Sequence, residues 1–92
     1  MEVIGTIKLI NSTQAIGANN FMKREIVVTT DEENYPQPLS LEFTQDKCKL
    51  LDNFQVGQRV KVSINLRGRE WITPEGDAKY FNTLQGWRIE QA

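Results

Sequence analysis

Apolar and polar residues alternate most cleanly between Arg59 and Trp71. Val60, Val62, Ile64 and Leu66 share one parity, and Arg59, Lys61, Ser63, Asn65, Arg67, Arg69 and Trp71 share the other. Successive side chains of a strand point to opposite faces, so this pattern predicts a strand with one core face and one cationic face ending in an indole. The same reading predicts a first strand over residues 2–10, with Val3, Gly5, Ile7 and Leu9 inward. Gly5 marks a bend or bulge there. Residues 11–20 are rich in loop-formers, with Gly17, Asn19 and Asn20 at the turn. A second strand covers 21–30, with Ile26 and Val28 inward, and a third covers Leu39–Thr44, where Leu39, Leu41 and Phe43 share a face. Between them, Pro36 and Pro38 bar the acidic stretch 31–38 from a central strand position. Asp46 has the place of an N-cap for a short helix over about 46–53. Pro74 and Gly76 suit a type I turn. The last strand covers about Tyr80–Glu90. Its parity is open, since Phe81, Trp87 and Ile89 compete with Tyr80 and Leu84 for the interior.

Three strands, a short helix and two strands follow one another. Closing five strands into a barrel removes exposed edges, and this order is that of the OB-fold. The fold class expected is therefore all-β: a five-stranded antiparallel OB-fold barrel with a helix between strands three and four. At 92 residues the chain is expected to form one domain, residues 1–92, and a second subunit would help so small a core.

Charge qualifies the functional reading. Eleven Lys and Arg face twelve Asp and Glu, for a net charge of −1. A nucleic-acid binder usually carries a basic footprint, so here it must come from segregation. Residues 59–71 hold Arg59, Lys61, Arg67 and Arg69 against Glu70 alone, while acids gather at Asp31, Glu32 and Glu33. Catalysis finds little support: with no histidine there is no His-centred triad, and no glycine-rich phosphate loop appears. The expectation is a non-enzymatic protein without metal or cofactor. Cys48 is alone and reads as a small apolar helix residue, and the Asp31–Glu33 run as a solvated loop. No apolar run approaches ~20 residues, so no membrane partner is expected. The amino terminus reads as a first strand rather than a secretory signal, and with the single cysteine this points to the cytoplasm.

From Phe43 to Tyr80 the chain resembles the bacterial single-stranded DNA-binding protein family. Phe43, DKCKLLDN, Gly57, RVKVSINL, Arg67-Gly68-Arg69-Glu70-Trp71 and TPEGDAKY follow that family's order of aromatic, short helix, glycine, alternating strand, R-x-R-x-W and turn. The whole chain also resembles a small uncharacterised bacterial family of single OB-domains. The resemblance implies that Trp71 and Phe43 stack bases and that Arg67 and Arg69 lie near phosphates; Lys61 joins them on the cationic parity. For Phe43 the alternation says core instead. A one-residue bulge would reconcile the two, and without one the alternation decides. The chain departs from the family at Gln37, where an aromatic would stand, and in stopping at Ala92 without the long acid-tipped tail, so tail-borne recruitment is expected to be missing. The expected partner is single-stranded DNA, with RNA not separated from it, bound by a homo-oligomer, dimer or tetramer. The competing expectation is an OB-domain used as an interaction or structural module, with Trp71 and Trp87 buried against a partner. Trp87, beside Gly86, is expected in the core or an interface.

Overall fold

A computed structural model describes residues 1–92. It contains strands β1 (Glu2–Ile10), β2 (Gln14–Ile16), β3 (Phe21–Thr30), β4 (Pro38–Thr44), β5 (Arg59–Ile72) and β6 (Ala78–Gln91), with a 3-10 helix (Gln45–Asn53) between β4 and β5. The sheet runs β1-β5-β6-β4-β3-β2, and a further β1–β3 pairing closes five of the strands into a ring. This is the all-β OB-fold barrel. A closed ring of five cannot alternate direction all the way round. One neighbouring pair must run parallel, and that pair is β4–β6, through Leu41↔Leu84 and Glu42↔Gln85. The short β2, which the sequence reading leaves in a loop, folds back on β3 from Gln14↔Lys23 to Ile16↔Phe21. Gly17 (φ +75°) and Asn20 (φ +53°) turn the chain between them.

The core follows the alternation. Val3, Ile7, Ile26, Val28, Leu41, Phe43, Leu51, Val60, Val62 and Ile64 form one buried cluster. At Gly5, β1 pairs with both Thr30 of β3 and Val60 of β5. A Cβ there would collide with the Thr29 carbonyl, so this glycine permits close approach of two backbones. The bulge itself lies further on, between Ile7 and Leu9. It shifts the parity, so that Leu9 is exposed, against expectation, and Ile10 packs on the core instead. Leu66 also departs from its expected burial, at 60 % exposed. It keeps the inward parity but lies beyond the end of the barrel.

The helix starts one residue earlier than expected and without a carboxylate cap. Thr44 is its N-cap residue, no side chain caps it, and Asp46 sits within the first turn. Arg24 of β3 fastens the helix instead. Its guanidinium donates to Asp52 Oδ1 at 2.6 Å, to the Cys48 carbonyl at 3.3 Å and to the Asn11 carbonyl at 2.8 Å. Leu51 and Cys48 then close one end of the barrel.

Candidate nucleic-acid interface

The site is organised by the register of β5 against β6. Residues opposite one another in an antiparallel pair share a face. From Asn65↔Gln85 the pairs run Arg67↔Thr83, Arg69↔Phe81 and Trp71↔Lys79 on one face. Leu66↔Leu84, Gly68↔Asn82, Glu70↔Tyr80 and Ile72↔Ala78 occupy the other. The front face thus holds Arg67, Arg69, Lys79, Trp71 and Phe81 and no carboxylate. The ribbon's own acids lie on the back face (Glu70) or in the turn (Glu75 and Asp77), and Glu42 of β4, opposite Gln85, borders the front-face groove from the neighbouring strand. The turn is built as its sequence predicts, with Gly76 N–H donating to the Thr73 carbonyl at 2.9 Å and Asp77 N–H donating to Thr73 Oγ1 at 3.0 Å.

Cations and rings interleave on this front face. The Arg69 guanidinium lies 5.7 Å from the Phe81 ring centroid and the Lys79 ammonium 5.9 Å from that of Trp71. Such contacts at exposed sites are worth about 0.5–1 kcal/mol, enough to hold a side chain flat without hiding its charge. Arg67 Nε donates to Gln85 Oε1 at 3.0 Å. Trp71 and Phe81 stay about half exposed, at 48 % and 46 %. Between the ribbon and the β2–β3 turn lies an open groove of about 420 Å³, bordered by Arg67, Arg69, Phe81, Phe21, Lys23 and Ile16. Lys23 contributes a shared charge. Its ammonium lies 3.1 Å from Glu25 and 3.5 Å from Glu42. The hydrogen bond to Glu25 does most to raise it above its ordinary value, helped by the charge of Glu42. In OB barrels the sheet face between these two connecting loops is where oligonucleotides and oligosaccharides bind.

Of the expected site residues, Trp71, Arg67 and Arg69 come together on the front face. Phe43 does not join them. It is fully buried, and the base-stacking role implied for it is corrected to a core role. The cause lies on the neighbouring strand at Gly86, where a Cβ would sit 2.7 Å from Phe43 Cε1 and Cε2. The missing side chain makes room for the ring. Lys61 lies near the other end of β5, held by Glu2 at 3.3 Å and Glu90 at 3.5 Å. The hydrogen bond to Glu2, with the attraction of both carboxylates, raises its ammonium above the ordinary lysine value. Sequence reasoning missed Lys79, Phe81 and Phe21. For the first two a signal existed. Closing the turn as a five-residue loop, Thr73–Asp77, pairs Ile72 with Ala78 and so sets Phe81 opposite Arg69.

The family described as "Domain of unknown function (DUF3127)" matches residues 2–90. The chain belongs to this family. No curated protein matches the sequence. Among solved structures, the DUF3127 chain is similar to the mitochondrial single-stranded DNA binding protein Rim1 of S. cerevisiae. The TM-score is 0.69, over 99 % of this chain and 91 % of that one, at 15 % identity. At that identity the likeness speaks for the fold, and the fold expected from the resemblance to single-stranded DNA-binding proteins is the one observed. No helix of the DUF3127 chain is long and apolar enough to cross a membrane.

Proposed function

We propose that this protein binds single-stranded DNA, with little sequence preference, along the front face of the β5–β6 ribbon. The observation that carries this reading is the cross-strand register, which leaves Arg67, Arg69, Lys79, Trp71 and Phe81 together on a ribbon face that contributes no carboxylate of its own. Cations track a phosphate backbone, and rings stack on bases of any identity at about 1–3 kcal/mol each. Arg67, Arg69 and Lys79 are the phosphate contacts, and Trp71 and Phe81 the stacking platforms. Lys61 is left out, because Glu2 and Glu90 already neutralise it. The printed name of Rim1, a single-stranded DNA binding protein on the same fold, supports the same reading. Binding rather than catalysis is what such a face does.

Titration of oligo-dT tests this. Three phosphate contacts predict a salt slope of about −2, at about 0.7 per contact on a single strand. Absence of binding at tens of micromolar protein in about 50 mM salt overturns the reading. Oligo-U in parallel reports whether a 2′-hydroxyl is tolerated.

A second role, self-association, is favoured by the back face. Leu66, Ile72 and Tyr80 are exposed there at 60 %, 54 % and 72 %. A dimer or tetramer joined through this strip leaves the front face open and sets several grooves along one strand.

A further inference from the structure

We infer that a second nucleobase subsite, centred on Trp87, extends the proposed DNA track beyond the ribbon onto the barrel. This inference rests on the single-strand-binding reading above. Its origin is a bulge. Ile64 pairs with Gly86 and Ser63 with Arg88, so Trp87 is the extra residue of β6. A bulge re-aims side chains, here letting Gly86 and Ile89 both serve the interior while Trp87 is turned out. The indole is 44 % exposed, outside the core cluster.

Trp87 is the one apolar wall of an open cavity of about 360 Å³. The other walls include Asn65, Gln45, Thr44, Lys47 and Asp46. A flat apolar face surrounded by amides and a hydroxyl matches the two needs of a nucleobase, a stacking surface and partners for its polar edge.

Continuity with the front-face groove gives the subsite its meaning. Arg67 and Gln85 line both cavities. Gln85 spans the divide, accepting from Arg67 Nε at 3.0 Å and donating to Thr44 Oγ1 at 3.4 Å. Lys79, beside Trp71, and Trp87 are eight residues apart on β6, roughly 25 Å at strand rise. The track then carries rings at Trp71, Phe81 and Trp87, with cations between them.

The chain holds two tryptophans, so each variant with one replaced by phenylalanine reports a single site. In Trp71→Phe the remaining emission is that of Trp87, and oligo-dT of about 12 nucleotides should quench it. In Trp87→Phe the emission reports the ribbon alone. Trp87→Ala should weaken binding of that oligonucleotide about 5- to 150-fold, the range for loss of one stacked base, with an unchanged thermal midpoint. Quenching in Trp87→Phe but none in Trp71→Phe overturns the Trp87 subsite and leaves the ribbon reading standing. No quenching in either variant, with no binding by the parent protein, overturns both. A Trp87→Ala protein that falls apart into smaller species in light scattering, with DNA affinity unchanged, makes Trp87 an interface residue and likewise overturns the inference.

Discussion

Gly86 and Phe43 together decide which aromatic is a core residue and which is free for a ligand. The ring of Phe43 fills the space that a Cβ at position 86 would need. Gly86→Ala should therefore destabilise the fold by about 1–3 kcal/mol, the cost of overpacking. Phe43→Leu frees part of that volume, so in a double-mutant cycle read by urea denaturation the two substitutions should cost less together than their sum. Additive costs would mean that the glycine serves the bulge rather than the ring. The sequence holds half of this, because Leu39, Leu41 and Phe43 alternate inward. It does not show that Gly86 makes room for the Phe43 ring, since β4 and β6 meet only at the parallel closure of the barrel. Cys48 gives a pH-dependent counterpart. Burial pushes its thiol above the ordinary 9.0, with Arg24 partly opposing, and Sγ donates to the Phe43 carbonyl at 3.3 Å. The folded state thus holds the thiol proton more tightly than the unfolded chain. Its contribution is complete below pH 9.0 and is lost as pH rises through the higher folded value. Cys48→Ala should show a shallower loss of urea midpoint over that window than the parent.

At the scale of elements, the ribbon formed by Asn65–Ile72 and its partners has a sharp division of faces, and parity alone supplied it. Arg67, Arg69 and Trp71 were legible as one face because period two survives along β5. Where the barrel stops was not legible: Leu66 has the same parity as Ile64, yet only Ile64 is buried. Alternation reports a face and leaves open whether anything covers it. The bulges after Ile7 and at Trp87 were hidden for a related reason, since each corrects the register between two strands and is set by the partner as much as by its own residues. Lys61 and Arg67 share a parity and differ in environment, and this separates their roles. Arg67→Ala with Arg69→Ala removes two of three phosphate contacts, so the salt slope of oligo-dT binding should fall from about −2 to about −0.7. Lys61→Ala should leave the slope near −2, because Glu2 and Glu90 hold that ammonium before any strand arrives. A slope that drops equally for Lys61→Ala would place the strand along the barrel wall rather than the ribbon.

Over the whole molecule, the net charge of −1 is distributed so that attraction is local. Lys23, Arg24, Arg59, Lys61 and Arg88 all pair with carboxylates, whereas the three cations on the ribbon front pair with none. Three contacts make a weak binder, and a short chain with a small core gains from a second copy. The back of the ribbon supplies the surface for one. Leu66, Ile72 and Tyr80 face away from the cationic side, and the only charge among them, Glu70, accepts from the Tyr80 hydroxyl at 3.0 Å. A two-stranded ribbon standing clear of its barrel is marginal by itself, so covering this strip would also stiffen the arm that carries Arg69 and Trp71. Leu66→Asp with Ile72→Asp sets two carboxylates in each copy of such an interface and should convert a dimer or tetramer to monomer in light scattering. The front face is untouched, so an oligonucleotide of about 8 residues, short enough for one groove, should bind almost as before. One of about 30 residues should lose 10-fold or more, because only linked grooves gain from effective concentration. Equal losses for both lengths would mean that the substitutions disordered the ribbon itself. An unchanged mass with unchanged binding of the longer strand would leave the apolar strip without a role in assembly.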